Sequence, residues 1–386
     1  MIIHVFLNDK LISADIIITL LFDIKSKHKS ANIKFYIPSY KGNGMEALKR
    51  NVVLYDSMCK LGEYIVYGRK SSSKFLKVFH RIWLVKFIVK ILLSLVLQKS
   101  YVFHFGAIDK YPLRVFYLFN KNRTFFFSQW PFQYPENLFL VNNHYKKRKE
   151  NFVVPAASKY ISYVDNNTQP DKNRFIGVEN TIIKCNPHKS TPWLEYLMAN
   201  NSKWMNLYNL DFEPNKYITY TLRHFNSEAA LTNPDSDLAY LLNETLSIID
   251  DSFSSKTILL KPHSFTDIEH LKDILKNFKN NNYIIVELHP LLLSFISKVF
   301  VSNFFSILYN DASIFNTPVI EYTRYSEEAL GITDGESIYP EYTTYFINND
   351  RELFTKVLKD IVVSNNVSIP GDGGEYIDTS KIFDIL

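Results

Sequence analysis

Thr257-Ile258-Leu259-Leu260-Lys261-Pro262-His263-Ser264 is a short apolar run that closes on Lys-Pro-His. Its composition describes a strand buried on both faces, as in parallel sheets. The proline stops the ladder and pushes the residue before it into an extended conformation. In open α/β sheets, ligands bind just past the carboxyl ends of the strands. Lys261 and His263 therefore stand where a ligand is expected. A cation beside an imidazole donor suits an anionic oxygen, with phosphate the leading candidate. A solvated strand-end lysine and a histidine bonded to a nearby carbonyl are the other reading of the same residues.

Downstream, residues 298–322 read as a strand that turns through Ser302-Asn303, continues into a helix ending near Asn316-Thr317-Pro318, and meets the new strand Val319-Ile320-Glu321-Tyr322. Unpaired first-turn amides and the positive dipole end make a helix N-terminus a ready anion site. On that helix Ser302 and Ser306 lie one turn apart, so both face one phosphate. Ser302 or Asn303 also suits simple helix capping, which is compatible with anion binding. Upstream, residues 217–224 read as the first strand of this domain and end in Arg223-His224. A helix over 235–251 and another over 268–278 flank the Lys-Pro-His strand. A strand over 283–286 and a helix starting at Pro290 follow, and an amphipathic helix covers 351–363.

The first half repeats the alternation. Strands are read over 2–7, 33–37, 101–106 and 124–127, with helices over 12–25, 79–97 and 111–120 and a polar loop carrying Gly42 and Gly44. Such β-α-β order argues for parallel sheets. From Val164 to Pro192 the chain turns polar and proline-bearing, which marks a linker. Two domains follow, over 1–190 and 191–386. A length of 386 residues exceeds the usual single core, and 46% hydrophobic residues exclude disorder.

The Lys-Pro-His end and the Ser302-x-x-x-Ser306 segment followed by Pro318-Val319-Ile320 together resemble the C-terminal domain of bacterial surface-polysaccharide glycosyltransferases of the GT-B type. The stretch involved runs from about 217 to 322. Within that group they are most similar to the polysialyltransferase, lipooligosaccharide sialyltransferase and capsule Kdo transferase families. The resemblance implies an α/β fold of two Rossmann-like domains whose parallel sheets face a central cleft, with acceptor bound by the first and nucleotide sugar by the second. It implies transfer of an acidic sugar from a CMP carrier to a capsule, O-antigen or lipooligosaccharide glycan, at the inner face of the cytoplasmic membrane. Ser264 departs from the proline that usually follows the motif histidine, and the serine pair is more widely spaced than in those families. Teichoic-acid polymerases using CDP-polyols share a related pattern. A glycan-binding protein on a decayed GT-B fold is the non-enzyme alternative.

Under that resemblance Lys261 and His263 stabilise the departing phosphate, with Ser302, Asn303, Ser306 and Arg223 beside them, and Glu321 holds ribose or base. The acceptor base is sought in the first domain. Asp109 is the first choice because it follows a strand end, then Glu136, then Asp9. No metal or other cofactor is expected, since no zinc spacing, Walker loop, glycine-rich fingerprint or Asp-x-Asp motif occurs. Cys59 and Cys185 fit a reduced cytosolic protein. The 44 basic and 39 acidic residues nearly cancel, which argues against nucleic acid as partner. Residues 79–97 are the most apolar part of the chain, but Lys86 and Lys90 interrupt them short of a membrane span. They read as a sheet-covering helix or as a site of peripheral membrane contact. The run Lys146-Lys147-Arg148-Lys149 suits anionic lipid, acidic glycan or solvent.

Overall fold

The computed structural model describes residues 1–8, 11–38, 44–68, 74–127, 155–162, 182–185, 187–222, 238–263 and 266–363. These residues form two compact units, one of the described residues up to Met198 and one of those from Ala199 onward.

The first unit comprises β1 (Ile2–Phe6), α1 (Leu11–Lys27), β2 (Asn32–Pro38), α2 (Gly44–Arg50), α3 (Val52–Leu61), β3 (Gly62–Tyr67), α4 (Lys74–Leu97), β4 (Ser100–His104), α5 (Val115–Phe119), β5 (Thr124–Phe127), β6 (Lys159–Ser162) and β7 (Ile182–Lys184). The helix α6 (Thr191–Met205) carries the chain into the second unit. The strands pair in parallel in the order β3-β2-β1-β4-β5-β6-β7. Because both faces of a parallel sheet are covered, β1 and β4 read as continuous apolar runs rather than alternations. On one face Phe6, Tyr36 and Val102 pack against Phe87, Ile91 and Leu95 of α4 and Phe116 of α5. α1 is buried nearly all round, and its Phe22 meets Trp193 of α6 with ring centroids 5.1 Å apart.

The second unit comprises β8 (Tyr217–Thr221), α7 (Leu238–Ser252), β9 (Thr257–Lys261), α8 (Ile268–Leu275), β10 (Asn282–Ile285), α9 (Pro290–Ile296), β11 (Ser297–Ser302), α10 (Leu308–Ile314), β12 (Val319–Thr323), α11 (Glu327–Ile332), β13 (Tyr345–Asn348) and α12 (Arg351–Val363). Its six parallel strands run β10-β9-β8-β11-β12-β13. Alternate residues Ile218, Tyr220, Ile258, Leu260, Val299, Val301, Ile320 and Tyr322 share one core with α7 and with Phe354, Leu358 and Ile361 of α12. Residues between them, among them Thr219, Lys261, Ser302 and Glu321, therefore take the other face. Local chemistry starts the helices: Asp267 accepts from the amides of Glu269 and His270, and Pro290 opens α9 behind the His289 cap.

Two expectations on helices are corrected. The helix read over 111–120 contracts to α5, and no helix runs on from Ser302, since α10 begins only at Leu308. The segment between is held out of helical form by its own side chains. Ser302 Oγ donates to Phe304 O at 2.7 Å, while the rings of Phe304 and Phe305 dock against Tyr325 and Tyr339. Ser302 and Ser306 are thus not neighbours on one helical face. The strands β3, β6, β7 and β13 and the helices α2, α3, α6 and α11 add to the elements read from sequence. No helix among the described residues is long and apolar enough to cross a membrane.

Candidate functional site

Both sheets share a doubly wound strand order, and each reverses direction at one place, between β1 and β4 in the first unit and between β8 and β11 in the second. Crossover connections leave on opposite faces at such a point, so a crevice opens past the carboxyl ends of those two strands.

At the switch point of the second unit, the register aligns four polar residues in one row. Lys261 pairs with Thr221, Thr221 with Ser302, and Ser302 with Glu321. Parallel strands in register send same-row side chains to the same face, and neighbouring strands stand about 4.8 Å apart. A lysine therefore begins the row and a carboxyl ends it, with two hydroxyls between. Lys261, Thr221 and Ser302 are buried, whereas His263, two residues past the strand, is exposed. Thr221 Oγ1 donates to Val301 O at 3.3 Å.

Asn303 is a structural anchor in this arrangement. Its Oδ1 accepts from the Tyr220 hydroxyl, and its Nδ2 donates to Thr245 Oγ1 at 2.8 Å and to Tyr322 O at 2.9 Å. The loop after β11 is thereby tied to α7 and β12. Ser306, half-buried, accepts from the Leu308 amide at 3.3 Å at the start of α10.

Glu321 is fully enclosed. Tyr325 donates to its Oε1 and Ser337 to its Oε2, both at 2.7 Å, and the Tyr309 hydroxyl lies within its reach. Two of these hydroxyl-bearing rings pack edge-on against further aromatics, Tyr325 against Phe304 and Tyr309 against Tyr339. Burial pushes the Glu321 carboxyl up to about 7, against the nearby hydroxyls of Ser337, Tyr325 and Tyr309, which pull the other way. Both oxygens are thus engaged inside the unit, at the end of the row. Sequence reasoning missed Tyr309, Tyr325 and Ser337, which are scattered over the helix α10 and the segments on either side of α11 with no shared period.

Asp109 belongs to the switch point of the first unit. It follows β4, and Asn8, just past β1, donates from Nδ2 to Phe105 O at 3.1 Å, which ties the two strand ends together. Asp109 Oδ1 accepts from the Ala156 amide at 2.9 Å, and Arg114 donates to Asp109 O at 2.9 Å. His104, also overlooked as a candidate, ends β4 with its Nδ1 3.8 Å from Asp109 Oδ1. The Gly106 amide donates to His104 Nδ1 at 3.2 Å, and His104 Nε2 lies 3.1 Å from Ala156 O. This pattern requires the neutral tautomer with hydrogen on Nε2. Burial drives the ring down to about 4, outweighing the opposing pull of Asp109 and the Ala156 carbonyl. The sequence shows only a histidine at the end of an apolar strand, and its contact with Ala156, 52 residues on, is made by the fold. Glu136, Asp9, Arg223, His224 and Ser264 lie outside the described residues.

Chemically, the second unit offers an ammonium and an imidazole at one strand end, suited to an anionic oxygen, and the first offers a carboxylate oriented by a backbone amide.

No protein-family model matches the chain, and no characterised protein matches it by sequence. Solved structures do match. MnaA of S. aureus, determined with UDP, superimposes with a TM-score of 0.54 at 11% identity, covering 99% of this chain and 94% of that one. A UDP-N-acetylglucosamine 2-epimerase from Rickettsia bellii gives 0.52 at 14% identity, covering 100% and 95%. Phytolacca americana UGT2, complexed with UDP-2fluoro-glucose and pterostilbene, gives 0.50 at 10% identity, covering 94% and 90%. The likeness is one of fold: the chain has a GT-B fold of two Rossmann-like domains.

Proposed function

We propose that this protein is a glycosyltransferase that moves an acidic sugar, of the sialic acid or Kdo type, from a CMP donor to a bacterial surface glycan. One observation carries the reading. The row Lys261-Thr221-Ser302-Glu321 ends, at its cationic side, in the stiff Lys261-Pro262-His263 turn beside the switch point of the second unit. A phosphate fits that end because lysine offers a point charge and the exposed imidazole a directional donor. When the sugar–phosphate C–O bond breaks, its electron pair stays on the phosphate of departing CMP, where Lys261 and His263 offset the new charge. Asp109 takes the proton of the acceptor hydroxyl as that oxygen bonds to the sugar carbon. Ser302, Asn303 and Glu321 act by holding the loop and strand end in place. Ser306 and Arg223 are assigned to the phosphate on the same terms as in the sequence reading, and no metal is invoked.

A UDP-sugar donor is the second reading, favoured because the solved structures of this fold named above include complexes with UDP or a UDP-sugar. A thermal-shift panel of the purified protein with CMP, CDP, UDP and GDP separates the two. A nucleotide at a hundred times its Kd stabilises the folded state by about 2.7 kcal/mol, or several degrees for a protein of this size. Stabilisation by CMP that disappears in His263→Ala supports the acidic-sugar reading. A response to UDP alone moves the donor to a UDP-sugar, and one to CDP alone to a polyol-phosphate polymerase. Silence towards all four leaves a non-catalytic glycan-binding protein.

A further inference from the structure

The helix α4 covers one face of the first sheet through Phe87, Ile91 and Leu95. Its opposite side is not the polar face that a surface helix normally turns to water. Ile82, Val85, Val89, Leu93 and Val96 recur at spacings of three and four residues, and each is between 49% and 64% exposed. They form a continuous apolar stripe about 21 Å long at 1.5 Å per residue. Lys86 and Lys90, both exposed and one turn apart, lie along one edge of that stripe, a step of about 100° from Val85 and Val89. The whole helix carries five basic residues, Lys74, Lys77, Arg81, Lys86 and Lys90, and no acidic one. The adjoining α5, packed on α4 through Phe116, leaves Leu118 and Phe119 exposed.

A stripe of this kind on a monomer marks an interaction surface. The occupant is decided by charge and by shape. A convex single-helix face edged with lysines, and without acids, matches an anionic lipid surface: the aliphatic side chains enter the acyl boundary and the lysine stems carry their ammonium groups to the phosphates. The helix is too interrupted to span, so it lies in the plane of the interface. We infer that the α4 stripe docks this protein reversibly on the surface of an anionic phospholipid bilayer. The inference does not depend on which nucleotide the second unit takes.

Flotation of the full-length protein tests it, with vesicles of equal parts phosphatidylglycerol and phosphatidylcholine against vesicles of phosphatidylcholine alone. The protein is expected to float with the anionic vesicles only and to be released by salt. Val85→Glu combined with Val89→Glu reduces binding at least tenfold. Lys86→Gln combined with Lys90→Gln reduces it about 25-fold, at roughly fivefold per lysine, and makes the salt dependence shallower. Both pairs are exposed, so the thermal midpoint stays within a few degrees of the parent, and the lysine pair keeps the test open should the glutamates disturb folding. The inference fails if the parent protein ignores anionic vesicles, or if both double variants float as it does. It fails equally if the stripe proves to join two copies, seen as a parent dimer that Val85→Glu with Val89→Glu turns into monomer while vesicle binding is absent.

Discussion

Asp109 is oriented by a neighbour that has no side chain. Gly106 adopts φ +82°, in the left-handed region, and a Cβ built there would stand 3.3 Å from Asp109 Oδ2. Alanine at this position therefore meets two costs: the left-handed backbone, and a displaced carboxylate whose other oxygen accepts the Ala156 amide. Gly106→Ala is expected to lower unfolding free energy by about 1–2 kcal/mol. If Asp109 is the base, transfer activity falls further than that loss explains, while the response to the carrier nucleotide stays intact. Urea unfolding and initial rates on one preparation check both, and an unchanged rate would remove Asp109 from the chemistry. The opposite case is Asn303. Both ends of its amide are spent on Tyr220, Thr245 and Tyr322, so it acts on a ligand only through the loop it anchors.

Between elements, the tightest approach among the described glycines is at Gly62, the first residue of β3. Its backbone is extended and unstrained, but an added Cβ would lie 2.1 Å from Ile33 O and 2.8 Å from Ile33 C on β2. Backbone cannot yield as a flexible side chain does, so the edge strand itself has to move. Gly62→Ala is expected to cost about 2 kcal/mol or more in urea unfolding, and a neutral result would mean that the β2–β3 register slips freely. The same contrast explains what could be read in advance. The strands β8, β9, β11 and β12 are apolar runs closed by polar residues, so their existence and the polar residues Lys261, Ser302 and Glu321 were visible in the sequence, whereas Thr221 and the alignment of all four in one row come from the strand pairing. β3, half-exposed at an edge, and β6 and β7, only four and three residues long, carry too little pattern. The expected helix from Ser302 failed for a different reason. The turn there depends on Tyr325 and Tyr339, more than twenty residues away, and on a serine bonding its own backbone. Lys261 and His263 were found because a strand end announces itself locally. His104 and the hydroxyls around Glu321 owe their roles to contacts that only the folded chain creates.

At the scale of the whole molecule, three enclosed groups among the described residues, His4, His104 and Glu321, tie stability to pH in opposite directions. His4 lies 2.8 Å from the Tyr36 hydroxyl and 3.0 Å from Ser94 Oγ, and burial, helped by Lys34, lowers it to about 4. His104 is lowered to about 4 by burial as well. Both rings are neutral in the folded state, while in the unfolded chain they take up a proton near 6.5. As pH falls from about 6.5 to about 4 the unfolded state gains protons that the folded state refuses, and each histidine removes up to about 3 kcal/mol of stability. Glu321 works the other way. Its carboxyl, raised to about 7, stays protonated in the fold while the unfolded chain ionises near 4.5. Stability is therefore lost as pH rises from about 4.5 to about 7, again by up to about 3 kcal/mol, and the loss persists above that. Glu321→Gln keeps the shape and a hydrogen-bonding partner for Tyr325 and Ser337 but cannot ionise. Subtracting parent from variant unfolding free energies cancels the histidines and leaves this carboxyl alone. The difference is expected to grow in favour of the variant by about 2–3 kcal/mol between about pH 4.5 and 8, most steeply below 7. A flat difference across that range would mean that Glu321 ionises inside the fold as it does in water. The acid end of the Lys261 row would then carry a charge inside the fold rather than a neutral carboxyl.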